Sequence, residues 1–187
     1  MTTRTEEFVT RVCTQTGERI GAIRAAFILL VRRSWPKPEV VRAFEREPAD
    51  PTVLTSCRTL LGAFDVTHAE YPTAMFWWKN EKSEFLGFCG RFADASGVKA
   101  VDLLGRTDAD PAVTWNRQAA IYMRDDREVL ASGVPRFDLL ERQDRGNATV
   151  WLRTSKVPYQ SPHGSGTVGG FDAISSAQAR QLARKRT

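Results

Sequence analysis

The sequence predicts an α+β fold: an N-terminal helical segment, then a five-stranded antiparallel sheet carrying its helices on one face. Three observations predict it. Before residue 67 the apolar residues recur at helical spacing; from Ala74 short runs rich in aromatic residues alternate with turn signals; and the helical stretches of that second part fall together between its second and third strands. The expected organisation is a helical segment over residues 1–66, a sheet domain over 67–175 and a basic tail over 176–187.

In the first segment Ile20, Ile23, Phe27 and Leu30 lie on one stripe of a helix, which Phe8 and Val12 extend. The opposite face carries Arg11, Glu18 and Arg32, and Pro36 and Pro38 stop the helix. Val40, Val41 and Phe44 predict a short second helix. Asp50-Pro51 opens a third, with Val53, Leu54, Leu60, Leu61 and Phe64 on its apolar positions. The stripe from Ile20 to Leu30 is read as a dimerisation or partner-docking seam, with a cap packed on the sheet domain as the other reading. Its heptad spacing is too short for a coiled coil.

In the second segment the run Ala74–Asn80 is a strand, Asn80–Ser83 a hairpin turn and Glu84–Phe88 a second strand. Short helices follow around Gly90–Ala95 and Ala100–Leu104, the latter closed by Gly105. Asp110-Pro111 opens a helical region that runs to Ala131, with Trp115, Ala119, Tyr122, Asp126 and Val129 on one stripe. Three strands close the domain at Arg136–Arg142, Thr149–Val157 and Thr167–Ile174, with turns at Asp144–Asn147 and Ser161–Gly166.

Composition narrows the function classes. Of 187 residues 42% are hydrophobic and 26% charged, the balance of a folded chain rather than a disordered one. The net charge of +5 permits contact with nucleic acid or an acidic partner through Arg32-Arg33 or the tail residues Arg180, Arg184, Lys185 and Arg186; a basic balance of this size also serves plain solubility. Cys13, Cys57 and Cys89 are far apart in sequence and have no histidine at ligand spacing, so neither a disulfide framework nor a zinc site is expected. The most apolar run, Ala25–Val31, falls far short of the roughly twenty residues of a membrane span. A cytoplasmic protein that does not contact the membrane is expected.

The order and spacing of the fragments "FWWKN" (Phe76–Asn80), "FLG" (Phe85–Gly87), "FA" (Phe92–Ala93), "SG" (Ser96-Gly97) and "LLGRTDAD" (Leu103–Asp110) carry a resemblance, continued by Trp115, Tyr122, Asp125, Asp126, Val129 and Gly133 and by "WLRTSKVP" and "GGFDAIS". Together they resemble the PAS sensor family of bacterial signalling proteins over about residues 73–175. Two departures stand out. Cys89 occupies a position where many relatives carry asparagine, and the last strand ends Asp172-Ala173-Ile174-Ser175 in place of Asp-Ile-Thr.

The resemblance implies a sensor whose central cavity receives a small apolar or aromatic ligand, and a packed core is the competing reading. The candidate lining is Phe76, Trp78, Cys89, Phe92, Trp115, Tyr122, Phe137 and Trp151, with Arg153 and Ser155 as polar contacts. Which of Trp77 and Trp78 faces inward is not settled by alternation. Cys89-Gly90-Arg91-Phe92 is similar to a flavin-binding cysteine motif, but the reactive cysteine of that motif follows the "LGR" segment, and no cysteine follows Gly105 here. Haem calls for a histidine on the helical side, and none lies between Gly90 and Gly133. No cofactor is therefore expected, neither flavin nor haem. Asp125 and Asp126 are adjacent on a helix and diverge, so they do not form an acid–base pair. The expected function is non-enzymatic signalling through a protein partner, as a homodimer, with a DNA-binding transcriptional regulator as the alternative.

Overall fold

The computed structural model describes residues 3–145 and 148–184, and the side chains of residues 3–143 and 149–184. The four N-terminal helices are α1 (Arg4–Thr16), α2 (Ile20–Ser34), α3 (Pro38–Glu45) and α4 (Val53–Glu70). Strands β1 (Met75–Asn80) and β2 (Phe85–Phe88) follow, then helices α5 (Gly90–Ser96), α6 (Ala100–Leu103) and α7 (Ala119–Ser132). Strands β3 (Arg136–Arg145), β4 (Ala148–Ser161) and β5 (Gly164–Ile174) and helix α8 (Ser176–Arg184) complete the order. The sheet is five-stranded and antiparallel, as expected, and its strands lie in the order β2-β1-β5-β4-β3, with β3 at one edge.

Several boundaries differ for local reasons. The long N-terminal stripe is broken into α1 and α2 by Gly17, whose φ of 49° and ψ of −140° leave the helical region. α4 begins at Val53 because Thr52 caps it, Oγ1 accepting from the Thr55 amide at 3.2 Å, and it continues to Glu70, past residue 66. The helix expected from Asp110 starts only at Ala119. Asp110 instead folds a turn, its Oδ1 accepting from the Ala112 amide at 2.9 Å. β3, β4 and β5 are longer than their apolar cores, since paired strands extend beyond the buried stretch. Part of the expected Asp144–Asn147 turn, and the tail residues Lys185 and Arg186, lie outside the described residues.

The sheet is covered on both faces. α5 and α7 pack on the inner face, whereas α2, backed by α3 and α4, packs across β4 and β5 on the outer face. Phe27 is the centre of the outer layer: its ring meets Trp78 edge-on at 5.9 Å and stacks on Phe44 at 5.6 Å. Phe64 in turn stacks on Phe76 at 5.1 Å. Arg24 of α2 binds the end of α3, donating to the carbonyls of Phe44, Glu45 and Arg46. Ile20, Ile23, Phe27 and Leu30 are all buried within the chain. This corrects their reading as an exposed dimer or partner seam: the stripe is the inner face of a cap on the sheet.

Candidate functional site

Strand alternation decides which aromatic residues face which layer. On β1, Phe76 and Trp78 point outward to the N-terminal helices, and Trp78 donates its indole N–H to Thr16 Oγ1 at 3.1 Å. Trp77 and Lys79 point inward. Each indole has a glycine beneath it. A Cβ on Gly169 would stand 2.5 Å from the Trp77 ring, and one on Gly87 would stand 2.0 Å from that of Trp78. The inward tryptophan is therefore Trp77, and the assignment of Phe76 and Trp78 to the cavity is corrected.

The same pleat corrects four residues of the later strands. Leu152 and Lys156 line the interior chamber, so Trp151, Arg153 and Ser155 of the same strand face outward. Ser155 Oγ accepts from Ser34 Oγ of α2 at 2.9 Å, and Arg153 donates to Asp172 at 2.8 Å. Phe137 lies beneath the Arg33 guanidinium at 5.4 Å. Cys89 is also placed elsewhere. It caps α5, its Sγ accepts from the Phe76 amide at 3.3 Å, and it borders an external groove among α1, α4 and α5. Burial pushes its thiol up from the ordinary value, which disfavours the thiolate.

Phe92, Trp115 and Tyr122 do meet at the chamber, together with Trp77, Lys79, Asp108, Glu141 and Lys156. Trp77 stacks on Phe92 at 5.3 Å, and Trp115 meets Phe92 edge-on at 5.1 Å. The open volume they leave is about 30 Å³. Small-molecule pockets span about 300–1,000 Å³, so this interior is close to packed.

What the sequence did not reveal is a buried ionic network in the chamber wall. Lys79 Nζ donates to Asp108 Oδ2 at 2.5 Å and to Asp126 Oδ2 at 2.9 Å. Lys156 Nζ donates to Asp126 Oδ1 at 2.7 Å and to the Tyr122 carbonyl at 2.9 Å. Asp108 Oδ1 accepts from the Trp115 indole N–H at 2.9 Å. The network links β1, β4, the segment before α7 and α7 itself, and it balances two cations against two carboxylates.

Burial alone would raise the Asp126 carboxyl, but the ammonium groups of Lys156 and Lys79 hold it down at about 2. Burial alone would likewise favour the neutral Lys79 amine, and Asp108 and Asp126 reverse this, raising its pKa. Glu141 behaves oppositely: burial raises its carboxyl, against the partial opposition of Lys156 and of Thr154, whose hydroxyl donates to Oε2 at 2.7 Å. Among the described residues Glu141 Oε1 and Trp77 Nε1 are buried without a hydrogen-bond partner, and both residues line the chamber. Asp126 is thus an ion-pair residue of the chamber, while Asp125 faces Arg124 and Arg136 at its outside. Among the described residues no cluster of His, Cys, Asp and Glu is placed to hold a metal ion, and no helix is long and apolar enough to cross a membrane.

A five-stranded antiparallel sheet in the order 2-1-5-4-3, with short helices and one longer helix closing its inner face, is the architecture of a sensor domain rather than of a helical-bundle or Rossmann-type protein. The chain belongs to the PAS fold family, whose model matches residues 75–176. Among solved structures it is similar to VqmA bound to DPO, with 19% identity over 59% of this chain and 57% of that one and a TM-score of 0.50. It is similar also to the Vibrio cholerae VqmA dimer in the absence of target DNA (19% identity, 61% and 53% covered, TM-score 0.51). The VqmA–ligand–DNA complex from the same organism gives 20% identity, 59% and 50% covered and a TM-score of 0.50. These likenesses show the fold, and the chain spans about half the length of those VqmA chains. No curated protein sequence matches it.

Proposed function

We propose that this chain is a non-enzymatic cytoplasmic PAS sensor whose output is a protein contact, and whose nearly packed chamber, about 30 Å³ in this structure, opens to admit a small molecule. The observation that carries the reading is the pair of buried, unpartnered polar atoms, Trp77 Nε1 and Glu141 Oε1, on the wall of one aromatic-lined chamber. Leaving such groups unpaired costs about 1–3 kcal/mol each, which a bound polar molecule recovers. The carboxylates beside them are held in ion pairs, which suits a recognition site better than proton transfer. Neither flavin nor haem enters the proposal: Cys89 borders the outer groove, and among the described residues no histidine lines the chamber.

The outer layer supplies a route to a partner. Asp172 of β5 joins Trp35, Arg153 and Thr73, and α8 begins four residues later. A shift of β4 or β5 on ligand binding is thereby felt both by the N-terminal helices and by α8. Native mass spectrometry on protein purified from its own host tests the proposal. The expected spectrum shows a small molecule released on denaturation, and a dimer or a retained partner protein. A monomer carrying nothing and capturing nothing overturns it.

A second reading, a DNA-binding regulator, takes its support from the likeness to VqmA, a protein described with target DNA. Against it, Arg32 is paired with Glu45 and Arg33 is stacked on Phe137. Duplex binding that weakens steeply with salt would favour this second reading.

A further inference from the structure

Cys13 lies on α1 and Cys57 on α4, far apart in the sequence, and the fold brings them together. Their thiol groups hydrogen-bond one another across the seam between the two helices. Both are free cysteines and both are buried: Cys57 is fully enclosed, whereas Cys13 keeps 9% exposure. Two thiols in contact on separate helices are close to what a disulfide needs, since only a short approach separates them from an S–S bond of about 2 Å. The last turn of α1 supplies that approach, because the helix ends at Thr16, where Gly17 leaves the helical region.

The two sulfurs are not equivalent. Burial raises both thiols above the ordinary value, which keeps thiolate scarce. Within the pair, Cys57 donates to Cys13 and so favours the Cys13 thiolate, and the Arg58 guanidinium acts in the same direction. Cys13, also the more exposed, is therefore the attacking sulfur and Cys57 the resolving one. A thiol of raised pKa is a poor leaving group, so a disulfide closed here is slow to be reduced. Cys89, by contrast, has its Sγ engaged by the Phe76 amide at 3.3 Å.

We propose that Cys13 and Cys57 form an oxidation site, at which hydrogen peroxide, or a hydroperoxide of similar size, closes a disulfide between α1 and α4. The Cys13 thiolate attacks one peroxide oxygen, the O–O bond breaks and hydroxide leaves, giving a sulfenic acid at Cys13. The Cys57 sulfur then attacks the Cys13 sulfur. The S–O bond breaks, the S–S bond forms, and the departing hydroxide takes the Cys57 proton as water. Two thiols thus lose two electrons and two protons, and the peroxide becomes two waters. A bulky disulfide oxidant has no route to sulfurs so little exposed.

The consequence lies in the outer layer. α1 rests on β1 through the Thr16–Trp78 hydrogen bond at 3.1 Å and on β2 through the Phe8 and Phe88 rings at 5.5 Å. α4 rests on β1 through Phe64, stacked on Phe76 at 5.1 Å. A disulfide ties together two helices that touch the same strand, and so restrains this layer whether or not the chamber receives a ligand. Slow to form and slow to be reduced, it records sustained rather than brief oxidation.

The test treats the whole reduced protein with hydrogen peroxide or, in parallel, with oxidised glutathione, then alkylates it after unfolding and maps it with trypsin. Peroxide is expected to leave Cys89 as the one alkylated cysteine and to join peptide Val12–Arg19 to Glu47–Arg58. Glutathione is expected to do so far more slowly. The oxidised form is expected to unfold about 5–10 °C higher, a shift that dithiothreitol removes. Cys57→Ser is expected to retain a dimedone-reactive sulfenic acid on Cys13, and Cys13→Ser to leave Cys57 unmodified. Thermal unfolding of the reduced variants confirms that they are folded, and the wild-type peptide map stands without them.

No joined peptide under peroxide, or a disulfide that takes in Cys89 or links two chains, overturns the site. Sulfenic acid on Cys57 in Cys13→Ser overturns the order of attack. Equal rates with glutathione overturn the selection by size. A disulfide that leaves thermal unfolding unchanged overturns its hold on the outer layer.

Discussion

Trp35 donates its indole N–H to Asp172 Oδ2 at 2.9 Å, joining the end of α2 to the last strand of the sheet. The same carboxylate oxygen accepts from Arg153 Nη2 at 2.8 Å, and Oδ1 accepts from Thr73 Oγ1 at 3.5 Å. The Trp35 ring meets Phe76 at 4.9 Å, and a Cβ on Gly170 would come within 2.8 Å of it. One aspartate therefore anchors the N-terminal layer, the strand beside it and the approach to β1, just ahead of α8.

Trp35→Phe keeps the ring contact and removes the donor. Asp172 retains its bond to Arg153, so the cost is that of one hydrogen bond to a charged acceptor, about 1–3 kcal/mol. Urea denaturation is expected to show a lower midpoint with an unchanged slope. A wild-type midpoint would mean that the bond contributes nothing to the docking of α2.

Lys79 is fully enclosed, and among the described residues its loss leaves Asp108 with no cation in ion-pair reach. Lys79→Met is expected to lower stability by about 3–5 kcal/mol. Lys79→Met with Asp108→Asn removes charge in a balanced pair, keeps an acceptor for Trp115, and leaves Asp126 with Lys156. It is expected to recover more than half of the loss in chemical denaturation. A double variant no more stable than the single would show that the cost was packing and not unpaired charge.

Two carboxylates give opposite pH dependences. Asp126 is held at about 2, below the unfolded value near about 4, so its contribution is complete above that value and is lost as pH falls towards 2. Glu141 is raised, so its proton stabilises the folded form below the unfolded value of about 4.3, and that contribution is lost as pH rises towards the folded value. Denaturation across a pH series is expected to show an acid arm in both the wild type and Glu141→Gln. The decline on the neutral side is expected in the wild type and absent from the variant.

The succession of elements along the chain and the helix-then-sheet division were legible because local pattern determines them. Aromatic runs bounded by turn residues marked β1 and β2, and Gly133 marked the end of α7. The site was less legible. Trp77 and Trp78 are chemically alike, and their faces are fixed by the register against β5, which sets Gly169 under one and Gly170 beside Phe76. Lys79 and Lys156 read locally as solvent-facing charges in strands. Their burial depends on Asp108 and Asp126 arriving from distant segments, and the available signal was a lysine in phase with an inward tryptophan. The stripe of α2 was correctly seen as apolar, but its partner, the outer face of the sheet, has no signature within the helix itself.

Two glycines separate backbone cost from packing. Gly62 lies inside α4 and a Cβ there meets nothing within 4 Å, so Gly62→Ala is expected to raise stability by about 0.5–1 kcal/mol. Gly166 lies in β5, where a Cβ would stand 1.9 Å from the Lys79 carbonyl oxygen and 2.5 Å from the Tyr159 hydroxyl. That hydroxyl itself donates to the Lys79 carbonyl at 2.9 Å. Gly166→Ala is expected to cost about 3 kcal/mol, the upper end for overpacking. Thermal unfolding of the two variants in parallel reads both signs.

Arg136 of β3 tests whether its seam with α7 is a local opening. Its side chain is 40% exposed, so its pairs with Glu128 and Asp125 are screened, and Arg136→Ala is expected to change global stability by less than about 1 kcal/mol. Locally the effect is larger in kind. Beyond the bulge at Asp138, side chains bridge β3 to α7, so removing Arg136 frees the start of the strand without disturbing its ladder from Leu139 onward. Hydrogen exchange is expected to quicken at Arg136–Asp138 and in the last turn of α7, and to stay unchanged in β1 and β5. Uniform acceleration across the sheet would instead mean that Arg136 supports the whole domain, and an unchanged pattern would mean that the seam is not held by these ion pairs.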